Sequence, residues 1–108
     1  MARQRAQTAT VEASQSAILG SRPSVPDHVV YREFVNETVV LNLQTGKYHG
    51  LNPSGGKMLE ALGQAETVRA AAASLADFYG RPAEQLEDDL CAFCRELSQR
   101  GLIELAGS

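Results

Sequence analysis

Tryptophan is absent from this chain of 108 residues, and aromatic residues make up only 6% of it. A core must therefore be built from Leu, Val and Ala. Cysteine is scarce: Cys91 and Cys94 are the only two, too few for a disulfide framework, and they read as reduced thiols of a cytoplasmic protein. No apolar run approaches the roughly 20 residues that span a bilayer. The N-terminus has arginines but no continuous apolar stretch of the kind a secretory signal needs. Both absences argue against a membrane. No GxGxxG, P-loop or zincin motif occurs. Positive charge is also short. Residues 1–26 carry three arginines against Glu12, but residues 27–108 carry seven Lys/Arg against twelve Asp/Glu. The main body is acidic, and an acidic surface repels phosphates, so nucleic acid is not the expected partner.

What is present is an ordinary globular composition, 44% hydrophobic, enough for one small domain. Residues 1–24 are rich in Ala, Gln, Ser, Thr and Arg without a sustained apolar period, and read as a flexible tail; Val11, Ile18 and Leu19 could still dock on the domain. Residues 28–34, HVVYREF, are β-branched and aromatic, as a strand requires. After an Asn36-Glu37 turn, a second strand runs from Thr38 to Leu43. Its alternation puts Val39, Leu41 and Leu43 on one face, which fits a half-buried antiparallel strand. Thr45-Gly46 reverses the chain into a third strand, Lys47 to Leu51.

Asn52-Pro53 starts a helix, with Asn as N-cap and Pro at the first helical position. Gly55 and Gly56 weaken its first turn, which implies that something packs close there. This first helix ends at Gly63. Thr67 caps a second, alanine-rich helix that stops at Gly80. A third runs from Pro82 to about Arg100 with Leu86, Leu90, Phe93 and Leu97 as its apolar stripe. Residues 102–105 form a short extended segment. The order β-β-β-α-α-α predicts an α+β fold, a three-stranded antiparallel sheet packed on three helices, of winged helix-turn-helix type.

The third strand is the informative element. Few other segments could cover it, and an uncovered edge presents unpaired N–H and C=O groups to which an extended peptide can add. Lys47, Tyr48, His49, Gly50 and Leu51 include no proline, and Gly50 leaves room for a second backbone. The plainer alternative is a protected edge with Lys47 as its guarding charge. Cys91-Ala-Phe-Cys94 invites a redox or metal reading. The pair sits mid-helix among acids that oppose thiolate formation, and zinc needs about four ligands while His28 and His49 are distant in sequence. No metal, cofactor or catalytic constellation is expected.

LNLQTGKYHGLN, the alanine-rich helix, and then DDLCAFCRELSQRGLIEL together resemble the PqqD-like family, the precursor-peptide recognition elements of ribosomally made natural products. The resemblance covers residues 27–105. It lies closer to the stand-alone relatives of lasso-peptide clusters than to PqqD proper. It implies a winged-helix-like domain without a catalytic site, which binds the leader segment of a precursor peptide. The leader would add as a strand to the third strand, in a groove walled by the third helix, and be presented to a separate radical SAM protein, leader peptidase or cyclase. On that helix, Leu86, Leu90, Cys91 and Cys94 are expected to accept apolar leader residues, and Glu87 or Arg95 to select charged ones. The competing reading is a winged-helix DNA-binding regulator. It is opposed by the five acids of the third helix, Glu84, Glu87, Asp88, Asp89 and Glu96.

Overall fold

The computed structural model describes residues 14–107. Helix α1 (Ser14–Leu19) leads into strand β1 (Arg22–Ser24). Strands β2 (Val29–Glu33), β3 (Thr38–Asn42) and β4 (Lys47–Leu51) follow. Helices α2 (Pro53–Gln64), α3 (Val68–Tyr79) and α4 (Ala83–Gln99) come next, and β5 (Glu104–Ala106) closes the order. The expected α+β, winged-helix-like architecture is what forms: an antiparallel sheet of order β2-β3-β4 on a helical layer.

Local chemistry accounts for most boundaries. Asn52 caps α2, its side chain accepting from Gly55 N–H, and Pro53 opens the helix. Thr67 caps α3 in the same way through Ala70 N–H. Gly80 ends α3 in the left-handed region, φ 66°, where a β-carbon is strained. Gly46 turns the β3-β4 hairpin at φ 76°. Gly63 does not end α2, which continues to Gln64.

The expected flexible tail of residues 1–24 does not hold for its second part. Residues 1–13, with Val11, lie outside the described residues. From Ser14 onward the chain is ordered: Ile18 and Leu19 are buried in the core, α1 packs on α4 and α3, and β1 pairs antiparallel with β5 through Arg22↔Ala106, Pro23↔Leu105 and Ser24↔Glu104. Val68 N–H donates to the Ser21 carbonyl at 3.1 Å, tying the same segment to the start of α3. Six helical residues are too few to show a period and too few to hold a helix alone; docking stabilises it.

The core is aliphatic. Leu59 and Leu62 of α2, Val68, Ala71, Ala72 and Leu75 of α3, and Leu86, Leu90 and Leu97 of α4 meet Val29 and Val40 of the sheet. The three buried alanines of α3, Ala71, Ala72 and Ala76, let α3 and α4 approach closely. The alternation of β3 leaves open which of its faces is inward, and the structure decides it. Thr38, Val40 and Asn42 of β3 point inward and are buried, while Val39 and Leu41 point outward. The more apolar face of the central strand is turned away from the core.

Candidate functional site

Among the described residues strand β4 is an edge of the sheet, paired with β3 alone through Thr38↔Leu51, Val40↔His49 and Asn42↔Lys47. Backbone directions follow from the ladder. Leu43 N–H donates to His28 O and Phe34 N–H to Glu37 O, both 2.7 Å. The odd-numbered residues of β3 therefore bond to β2. By the alternation of an antiparallel ladder its even-numbered residues bond to β4. On β4, His49 and Leu51 spend their backbone groups on β3, and Lys47 N–H donates to Thr45 Oγ1 in the turn at 3.2 Å. Tyr48 and Gly50 aim theirs at the open edge. The opposite edge, β2, carries the exposed charges Arg32 and Glu33, which discourage strand pairing there.

The end of helix α4 meets this strand. Near its C-terminus, Arg100 Nη1 stands 3.4 Å from His49 Nδ1; with the proton on Nε2, Nδ1 accepts. Arg100 Nη2 also pairs with Glu96 Oε2 at 2.9 Å. About two turns earlier, Phe93 reaches the end of the strand: a β-carbon at Gly55 would stand 3.5 Å from Phe93 Cε1 and 3.2 Å from Leu51 Cβ. Further along, Asp89 lines a cavity of about 100 Å³ with Ser54, Met58, Tyr79, Arg81 and Leu86. Asp89, Phe93, Glu96 and Arg100 recur at i, i+4, i+7 and i+11, one face of a helix. That face comes near β4 at two points, Arg100 beside His49 and Phe93 near Leu51, and these are the candidate walls of the expected peptide groove.

The helical flank expected from sequence faces elsewhere. Leu90, Cys91 and Cys94 are fully buried. Cys91 Sγ lies 3.7 Å from the Gln15 carbonyl of α1, and Gln15 Nε2 donates to Asp88 Oδ1 at 2.7 Å. The half-buried Glu87 and Arg95 belong to this flank, about 200° round the helix from Phe93 in the case of Arg95. The correction and that of the tail have one cause, because α1 covers the surface that the sequence leaves open. Leu86 is buried yet reaches the cavity at the groove's end. Lys47, Tyr48, His49, Gly50 and Leu51 all lie on the edge, with His49 and Leu51 half-buried toward α4 and Tyr48 outward. Phe93, Glu96 and Arg100 were missed as a wall. The available signal was Phe93, the single aromatic residue of α4, which is only partly buried.

The thiols are shielded rather than activated. Burial pushes Cys94 up to about 12, with Cys91 beside it adding to the effect. Burial also raises Cys91; Arg95 opposes this, and Asp88 and Glu87 reinforce it. Neither is a ready nucleophile at neutral pH. Among the described residues no helix is long and apolar enough to cross a membrane.

The outer sheet face forms a second surface. Val30, Tyr31, Arg32, Phe34, Val39, Leu41 and Tyr48 line a shallow concavity of about 310 Å³. Phe34, Leu43 and Tyr48 are 58%, 57% and 73% exposed. Exposed apolar clusters of this kind mark contact sites.

A winged-helix-like domain whose edge strand is unpaired, among the described residues, near the end of a helix is the class that the fold defines. This chain belongs to the PqqD family, matching the family described as Coenzyme PQQ synthesis protein D over residues 37–103. Among solved structures it is similar to "TbiB1 in Complex with the TbiA(beta) Leader Peptide", at 30% identity and TM-score 0.68, covering 75% of this chain and 94% of that one. It also shares the fold of "Lasso peptide synthetase B1 complexed with the leader peptide", at 18% identity and TM-score 0.67, covering 77% of this chain and 98% of that one. No curated protein matches. The expected family agrees with the family match.

Proposed function

We propose that this protein is a non-catalytic recognition module of the cytoplasm, where precursor peptides are synthesised. It binds the leader segment of such a precursor as a strand added to β4 and presents it to a separate maturation enzyme: a radical SAM protein, a leader peptidase or a cyclase. The observation that carries this reading is the β4 edge, unpaired among the described residues, with the backbone groups of Tyr48 and Gly50 aimed outward near the Phe93-Arg100 face of α4. The 30% identical TbiB1 holding a leader peptide supports it. The binding residues in this reading are Lys47 to Leu51 with Phe93, Glu96 and Arg100, and Leu86 at the cavity. The winged-helix DNA reading finds no support: α4 carries five acids, and both solved relatives hold peptides.

Main-chain hydrogen bonds supply much of the affinity of an added strand. The leader encoded beside this protein should bind with about 7–9 kcal/mol, high-nanomolar to micromolar. Tyr48→Pro removes an edge donor while leaving the His49 and Leu51 bonds to β3 in place. Calorimetric titration of the variant should show affinity reduced by about tenfold or more, with helical circular dichroism retained. Unchanged affinity would mean that the peptide does not pair with β4.

A further inference from the structure

We infer that Arg100 is a specificity residue of this groove, reading a carboxylate on an inward-facing side chain of the bound strand. The inference rests on the leader-binding reading and adds to it what the leader must carry. Three observations converge. First, Arg100 sits at the C-terminal end of α4 and reaches across to His49 on the inner face of β4, so any strand added to that edge passes its guanidinium.

Second, the guanidinium is anchored but not consumed. Glu96 holds Nη2 at 2.9 Å, whereas His49 takes Nη1 through a longer, 3.4 Å contact to a ring nitrogen. A guanidinium has five N–H donors in a fixed fork that matches a carboxylate. A carboxylate is a stronger acceptor than a neutral imidazole, since ionised partners roughly double the strength of a hydrogen bond. The His49 contact is therefore the one an incoming acid displaces, while Glu96 keeps the arginine aimed.

Third, charge along the groove is uneven. Lys47, the neighbouring inward position on β4, shares the Arg100 end. Leu51 and Phe93 form an apolar middle, and Asp89 lies beyond them. Arg100 touches His49 and Phe93 nears Leu51; these strand positions are two residues apart. A strand repeats its facing every two residues. The matching peptide thus carries an acidic residue two positions from a large apolar one, both facing inward. This pairing fixes register as well as affinity.

A phage library of random dodecapeptides, selected on the full chain, tests this without knowledge of the natural precursor. Wild type should enrich peptides with Asp or Glu two positions from a large apolar residue. Arg100→Gln should keep the apolar preference and lose the acidic one. Arg100→Glu should weaken a selected acidic peptide by about tenfold or more, and a Lys in place of that acid should recover most of the loss. Such a charge swap is not expected of a merely structural arginine. The inference is overturned if the acidic preference survives in Arg100→Glu, or if wild type selects an apolar consensus without an acid. The latter leaves strand addition standing. If wild type selects no peptide at all, the leader-binding reading falls and this inference with it.

Discussion

Gly56 of α2 packs directly on Thr38 of β3: a β-carbon placed on that glycine would come 3.0 Å from Thr38 Cβ and closer still to its Oγ1. Thr38 is itself buried, so it has nowhere to retreat. This contact sets how closely the helix lies on the sheet, and with it the position of Leu51, Asn52 and Gly55 at the end of the groove. Gly56→Ala should destabilise the fold by at least about 2 kcal/mol, the cost of overpacking a rigid site. Urea melts would measure it. Adding Thr38→Ala should recover part of the loss, because Oγ1 is the nearest atom. A neutral Gly56→Ala would show that α2 shifts freely.

Cys91→Arg separates the two possible faces of α4. On a groove wall an arginine would reach solvent and alter peptide binding alone. Here Cys91 is sealed under Gln15, so the substitution buries an unpaired charge. It should cost several kcal/mol, seen as a large drop in melting temperature before any peptide is added. Retained stability with weakened binding would return Cys91 to the groove.

That contrast also shows what could be read from the sequence. The strand positions 47–51, the Asn52 and Thr67 caps and the Gly80 stop each rest on local chemistry, and each formed where expected. Gly55 and Gly56 were legible as a close approach, though Thr38 and Phe93 as their neighbours were not. The face of α4 that meets β4 depends on what covers the opposite face. The cover is α1, six residues stabilised only by tertiary packing, which periodicity cannot reveal. The facing of β3 was hidden for a related reason. Alternation tells which residues share a side, and only the position of α2 decides that Thr38, Val40 and Asn42 go inward.

The buried thiols give the stability a pH dependence. The ordinary thiol value is 9.0 and Cys94 is pushed up to about 12 in the folded chain. Between these values the unfolded chain releases its proton and the folded chain keeps it, so stability is full below pH 9 and falls as pH rises toward 12. The Cys94 contribution to the slope is at most about 1.4 kcal/mol per pH unit. Urea melts from pH 8 to 10.5 should show wild type losing stability more steeply than Cys94→Ala. The comparison of slopes removes both the cavity left by the smaller residue and the titration of lysines and tyrosines. Equal slopes would mean that Cys94 ionises in the folded protein as it does in the unfolded one.

The outer sheet face offers a separate test of presentation to an enzyme. Phe34 and Leu43 are exposed there, and neither contributes to the inner face that β4 and α4 share. Replacing them together with lysine should change folding stability little, since exposed positions away from special contacts rarely move it by more than about 0.5 kcal/mol each. Leader affinity should stay within about twofold, because the edge groups of Tyr48 and Gly50 are untouched. Processing of the precursor by its maturation enzyme should fall, because a charged pair interrupts the apolar surface that such a partner would bury. Full processing by the double variant would remove this face from the presentation step. Loss of leader affinity in step with processing would instead place the defect in the groove. A deficit confined to processing is the outcome that requires a second protein to sit on the sheet while the leader occupies its edge.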